Sequence, residues 1–182
     1  MKILDGIKII KPKIYKDKRG LFFEIWNKKN FSKLGIRNNF VQDNYSFSYK
    51  KGTFRGFHFQ KPPYSQAKIV RCSRGSIIDV VIDIRRKSKT YGKYNLFRLT
   101  SNNKLQIYIP IGFLHGYLTL EDNTEVNYKV SNFYNPKLEE TIIYNDKIIN
   151  FKIPKRFSKI TISRKDLNGI SFANFKSPYY IK

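Results

Sequence analysis

Residues 40–60 read FVQDNYSFSYKKGTFRGFHFQ. A run of polar residues, Gln42, Asp43, Asn44, Ser46 and Ser48, leads to a glycine turn at Gly52 and on to Arg55-Gly56-Phe57-His58, which carries one of the 2 histidines of the chain. From Phe40 onward the pattern predicts strands. Residues 75–84 (GSIIDVVIDI) are β-branched and apolar, broken by Asp79 and Asp83, as expected of a half-buried strand. Residues 96–99 and 105–109 flank Ser101-Asn102-Asn103, the pattern of a hairpin. Residues 112–120 (GFLHGYLTL) and 124–130 continue as further strands.

On the N-terminal side, residues 1–15 alternate loosely around Gly6 and Pro12, which predicts a short edge strand. Asp17-Lys18-Arg19-Gly20 then turns into a second strand. Residues 27–36 (NKKNFSKLGI), closed by Gly35, are the best helix candidate. Residues 154–182 are basic and mixed, and are expected to form a short helix or loops packed on the strands. Short strands at regular spacing with few helical windows predict an all-β barrel or sandwich. No repeat or low-complexity linker divides the 182 residues, a length that suits one domain.

Composition narrows the function classes. The apolar fraction of 41% argues against disorder, and no apolar run approaches the length of a membrane-spanning helix. The opening MKILDGIKIIKPK carries Asp5 and several lysines where a signal peptide needs an apolar stretch. A single cysteine, Cys72, allows no internal disulfide, so a reducing cytoplasm is expected. The net charge of +23 would attract anions, but its lysines are spread along the whole chain. A solvated basic surface is therefore expected, with no nucleic acid and no membrane as partner.

Pro110-x-Gly112-x-x-His115 is a spacing seen in cupins, where a turn delivers a histidine into the mouth of a barrel. Metal-binding cupins need three or four ligands, and this chain offers His58 and His115 without an obvious carboxylate partner. A metal-free site is expected.

Three blocks, Gln42-Asp43-Asn44, Arg55-Gly56-x-His58 and Gly112-Phe113-x-His115-Gly116, together resemble the signature of the dTDP-4-dehydrorhamnose 3,5-epimerases. The resemblance implies a cupin or jelly-roll β-barrel with a few short helices, its core at about residues 40–154. It also implies a cofactor-independent epimerase of a nucleotide-diphosphate 4-keto sugar, acting through an enolate and feeding surface-polysaccharide synthesis. By resemblance His58 is the base, Asp166 its partner, Lys68 the cation facing the C4 oxygen and Tyr128 the acid on the other side. Tyr134 would stack on the nucleotide base and Arg55 would hold the diphosphate, while Gln42, Asp43, Asn44, His115, Glu139 and Lys165 would contact the ligand. Arg19 and Glu24 would contact the nucleotide, completing the neighbour's pocket in a homodimer.

This chemistry makes physical sense of the residue types. A proton beside a ketone needs a base that titrates near neutrality, a carboxylate to orient it and a preorganised cation for the enolate. Singly, each residue has a plainer reading: Tyr128 as core, Lys68 as surface, Asp166 as a turn residue. Their occurrence together and in order, from position 19 to position 166, carries the assignment. A GDP-linked 4-keto heptose remains an alternative substrate. A non-catalytic cupin that binds a sugar nucleotide or a nucleic acid, and a keto-sugar isomerase, remain alternative functions. Three departures from the family pattern, Leu114, Tyr144 and Ile153, are expected to affect the substrate pocket.

Overall fold

The computed structural model describes residues 2–157 and 159–181. Two five-stranded antiparallel sheets face each other in a cupin-like jelly roll. The first runs in the order β1 (Lys8–Ile10), β9 (Gln106–Ile109), β6 (Lys68–Arg74), β11 (Thr124–Val130) and β4 (Gln42–Ser48). The second runs β12 (Glu139–Thr141), β5 (Phe54–Gln60), β10 (Phe113–Thr119), β7 (Ser76–Asp83) and β8 (Tyr94–Thr100). The sheets stay open at their edges instead of closing into a barrel. A separate hairpin, β2 (Tyr15–Asp17) and β3 (Gly20–Phe22), stands on the N-terminal side.

The period-two alternation of strands sorts the side chains into three layers. Between the sheets, Val70, Ile77, Val81, Ile107, Phe113 and Val126 form the inner core. On the outer face of the second sheet, Phe54, Val80, Ile82, Leu114 and Leu118 are covered by Ile142, Ile149, Phe151, Phe172 and Phe175 from the C-terminal third. On the outer face of the first sheet, Ile10, Ile69 and Tyr108 pack under Phe31 and Ile36. Those two belong to helix α1 (Lys28–Lys33) and the turn after it. Asn27 caps α1 by accepting from the Asn30 N–H at 3.1 Å, and Gly35 closes it at φ +78°.

Two sequence expectations fail here. The segments around residues 101–103 form no hairpin, because β8 pairs with β7 in one sheet while β9 pairs with β6 and β1 in the other. The Asn103 side chain holds this crossover, accepting from the N–H groups of Thr100 and Leu105 and donating to the Arg98 carbonyl. Nor is β7 half-buried: its core side chains sit against both neighbouring layers, and Asp79 and Asp83 are fully buried. Asp83 is satisfied by Arg85, Ser88 and Thr90, whereas Asp79 is held through one oxygen by His115 and its Oδ1 has no partner among the described residues.

Candidate active site

A cleft of about 790 Å³ opens between the two sheets. Strand alternation fills it from both sides. Gln42, Asn44 and Ser46 come from β4, Lys68 from β6 and Tyr128 from β11. His58 comes from β5, and His115 and Tyr117 come from β10. Register aligns the key groups: Tyr128 stands opposite Asn44 on one flank and Val70 on the other, and His115 stands directly opposite His58.

Asp166 reaches His58 from a short helical turn, α2 (Arg164–Leu167), whose cap residue Ser163 accepts from the Asp166 N–H at 3.1 Å. Its Oδ1 lies 2.7 Å from His58 Nε2, and its Oδ2 accepts from the Gly56 N–H at 3.2 Å. Burial alone would raise the Asp166 carboxyl, but His58, Gly56 and Ser163 outweigh it and hold the pKa below the usual range. An ionised carboxylate can only accept, so Nε2 carries the proton and Nδ1 keeps its lone pair. Glu139 Oε1 is 3.9 Å from that Nδ1.

Gly56 makes this approach possible. Its φ is +132°, and a Cβ there would lie 2.6 Å from the Gly116 Cα and 3.0 Å from the His115 carbonyl oxygen. The β5–β10 pairing shifts register between His115 and Tyr117, so the two glycines meet at the bulge. Glycine in Arg55-Gly56-x-His58 is thus a requirement of backbone contact.

His115 Nε2 donates to Asp79 Oδ2 at 2.8 Å. Burial depresses the His115 pKa, and the opposing pull of Asp79 does not restore it, so the ring is neutral at neutral pH. Lys68 sits deep in the same cleft. Desolvation brings its pKa down to about 8, with Glu139 and Asp79 acting in the other direction. Across the cleft, burial and the charge of Glu139 raise the Tyr128 pKa, which keeps its hydroxyl protonated.

The rim is a connected polar group. Tyr134 donates from its hydroxyl to Glu139 Oε2 at 2.9 Å, and Lys165 pairs with the same carboxylate. Burial would raise the Glu139 pKa, but Lys165, His58 and Tyr134 together hold it down. The Tyr134 N–H donates to Gln42 Oε1 at 3.0 Å, while Gln42 Nε2 donates to Asn44 Oδ1 at 2.8 Å. Arg55 leans along the wall, donating to the Phe47 carbonyl at 3.1 Å. Among the described residues, no three His, Cys, Asp or Glu side chains gather as a metal-binding group.

A paired base, a buried ammonium and a protonated phenol around one polar cleft suit proton transfer beside a carbonyl. Comparison with known proteins agrees. Residues 2–174 match the family model for dTDP-4-dehydrorhamnose 3,5-epimerase. The chain belongs to this family. A Shigella flexneri dTDP-4-dehydrorhamnose 3,5-epimerase is 43% identical over 98% of this chain and 96% of its own. A Salmonella typhimurium enzyme of the same name is also 43% identical, over 90% of this chain and 88% of its own. The crystal structure of a Legionella pneumophila dTDP-6-deoxy-D-glucose-3,5-epimerase, in complex with dTDP-4-keto-L-rhamnose, superposes with a TM-score of 0.94 at 36% identity. That likeness covers 100% of this chain and 97% of the other.

Within this epimerase-family cleft stand His58, Asp166, Lys68, Tyr128, Arg55, Gln42, Asn44, His115, Tyr134, Glu139 and Lys165. Three expected ligand contacts do not reach it. Asp43 alternates to the outer face of the first sheet and pairs with Lys129. Arg19 sits on the exposed β2–β3 turn, held by Asp17, and Glu24 accepts from the side chains of Asn27 and Asn30. Asp43 and Glu24 instead line a second groove of about 740 Å³ on that outer face, with Phe22, Trp26 and Arg71.

The three departures from the family pattern also miss the pocket. Leu114 is fully buried in the outer core of the second sheet, and Tyr144 and Ile153 pack against the same cluster. They pack behind the epimerase site, and none of the three lines the cleft. His58 has the carboxylate partner that the resemblance implied, Asp166, and His115 has one that the sequence hid, Asp79, because it lies far from His115 along the chain. Ser46, seen in the sequence only as part of a polar run, and Tyr117, not singled out there, line the cleft as well. Each stands two positions from a named residue on the same strand, Asn44 or His115, and period-two alternation would have found both.

Proposed function

We propose that the chain inverts C3 and C5 of dTDP-4-keto-6-deoxyglucose without a cofactor, feeding surface-polysaccharide synthesis such as capsule or lipopolysaccharide. The observation that carries this is His58, tied through Nε2 to Asp166 at 2.7 Å with Nδ1 left free in the cleft. His58 Nδ1 removes a proton from a carbon flanking the C4 ketone, and the C–H electron pair moves onto the C4 oxygen. Lys68 stabilises the resulting enolate, and the ionised Asp166 stabilises the imidazolium. Tyr128 returns a proton to the same carbon from the opposite face, and the carbonyl re-forms. Carbons C3 and C5 both flank the ketone, so once solvent has taken the proton from His58 and returned one to Tyr128 the same groups serve each in turn.

Tyr134 stacks on the thymine, and Arg55, with the amides of Gln42 and Asn44, meets the diphosphate. Glu139 and Lys165 hold Tyr134 and so set the nucleotide end. The reading as a homodimer is supported by the β2–β3 hairpin, which leaves Tyr15, Leu21 and Phe22 exposed and carries Arg19 away from its own cleft. A second copy would cover that apolar surface and receive Arg19 at its own nucleotide end, with Glu24 and Asp43 on the shared face. The +23 charge serves to attract the diphosphate and requires no nucleic acid or membrane partner. No helix of the described residues is long and apolar enough to cross a membrane. A cytoplasmic place for the enzyme fits the single, buried, unpaired Cys72.

The dTDP sugar is preferred over a GDP-linked heptose because the related proteins are named for the former. The test is incubation with dTDP-4-keto-6-deoxyglucose, chemical reduction of the ketone and analysis of the released sugar. Sugars with the L configuration at C5 and an inverted C3 are expected. Recovery of the uninverted sugars alone would refute the proposal.

A further inference from the structure

Tyr128 has to present its hydroxyl at one height over the sugar ring, yet among the described residues no hydrogen bond holds that hydroxyl. Its position is set by what its ring packs on. That is the inner cluster to which Tyr117 belongs. Tyr117, 4% exposed, stands two residues beyond His115 on the same face of β10, with the two ring centroids 6.3 Å apart. Its hydroxyl crosses the space between the sheets and donates to Ser46 Oγ on β4 at 2.8 Å. Strand β4 is the immediate neighbour of β11, the strand that carries Tyr128. The pair is therefore a side-chain tie from the histidine sheet to the tyrosine sheet, and it lines the cleft floor.

We propose that Tyr117 and Ser46 are positioning residues, whose hydroxyl–hydroxyl tie holds the Tyr128 acid at the height from which it protonates the enolate. This rests on the function proposed above. The tie acts on the return of the proton and not on its removal, because His58 and Asp166 are built on β5 and α2 and share no hydrogen bond with it. An apolar residue at either position would fill the same space. The buried Tyr117 hydroxyl gives its proton to the half-buried Ser46, and the benefit beyond packing is the fixed distance between the sheets.

The test separates proton removal from inversion. Wild-type, Tyr117→Phe, Ser46→Ala and the double variant are each given dTDP-4-keto-6-deoxyglucose in deuterated water. Solvent exchange at C3 and C5 and the amount of inverted product are then followed together. Exchange in the single variants is expected within about threefold of wild type, while inverted product per exchange event falls about tenfold. The double variant should be no worse than either single change, since both remove one tie. Purely structural damage would lower exchange and inversion together and leave their ratio alone. An unchanged ratio in both single variants, or additive losses in the double variant, would overturn the proposal. Wild-type protein that exchanges neither proton would instead condemn the underlying reading of the function.

Discussion

His58 and Asp166 are 108 residues apart in the chain and meet at 2.7 Å, carboxylate on Nε2. The contact fixes one tautomer and one ring orientation, and leaves Nδ1 as the basic nitrogen. Asp166→Asn keeps the shape but replaces an ionised acceptor with an amide that can also donate. The rate of proton exchange is expected to fall at least about a hundredfold, with KM for the nucleotide sugar little changed. A variant with near-normal exchange would show that the carboxylate is not needed to orient the base.

Lys68 sets the alkaline limit. Burial lowers its pKa to about 8, so the ammonium is present below that pH and is lost as pH rises through it. If the charged form stabilises the enolate, kcat falls on the alkaline side of about 8. Tyr128, raised above its ordinary value, stays protonated throughout that range. Lys68→Arg should push the alkaline limb to higher pH, because a guanidinium keeps its charge. A pH–rate profile with the same limb in wild type and variant would assign it to another group.

Gly56 is expected to be intolerant. A methyl group there meets the Gly116 Cα at 2.6 Å on a backbone with φ +132°. Gly56→Ala should cost about 2–4 kcal/mol, read as a lowered denaturation midpoint. It should also weaken the exchange reaction, since the same backbone N–H steadies Asp166. Unchanged stability would mean that the strands separate easily at this bulge.

Leu114 gives the opposite signature. It lies in the outer core, on the far side of the second sheet from the cleft. Leu114→Ala should destabilise by about 2–5 kcal/mol while leaving KM and the ratio of C3 to C5 exchange as in wild type. A changed ratio would return Leu114 to the substrate pocket.

Much of this was legible in the sequence because strands write their faces in alternate positions. The residues 42, 44, 58, 115 and 128 all fall on inward positions, and the helix expected within 27–36, found at Lys28–Lys33, was marked by its closing glycine. What was not legible depended on the third dimension. Asp43 sits inside a polar block whose neighbours face the cleft, and only the strand's alternation turns it outward to Lys129. The turn at residues 101–103 looks the same whether it joins two strands of one sheet or carries the chain to the facing sheet. Leu114, Tyr144 and Ile153 all differ from the family pattern and Leu114 also sits beside His115, yet all three belong to the cluster on the far side of the second sheet. Arg19 is held on its exposed turn by Asp17 and Glu24 is taken up by Asn27 and Asn30, local pairings that the sequence does not reveal.

The proposed role of Arg19 in the partner's cleft has its own test. Arg19→Ala should raise KM for the nucleotide sugar about tenfold or more without abolishing turnover, since a charged hydrogen bond to phosphate is lost. Mixing Arg19→Ala with His58→Ala, unfolding and refolding them together, should restore low-KM activity at one cleft of a mixed dimer. Failure to restore it, or an active monomer of unchanged KM, would contradict the shared site.

The most direct measurement follows the C3 and C5 proton signals of dTDP-4-keto-6-deoxyglucose by NMR in deuterated water, with wild type and His58→Ala side by side. The account predicts loss of both signals with wild type and of neither with the variant. Persistence of both signals with wild type, or their full loss with His58→Ala, would contradict it.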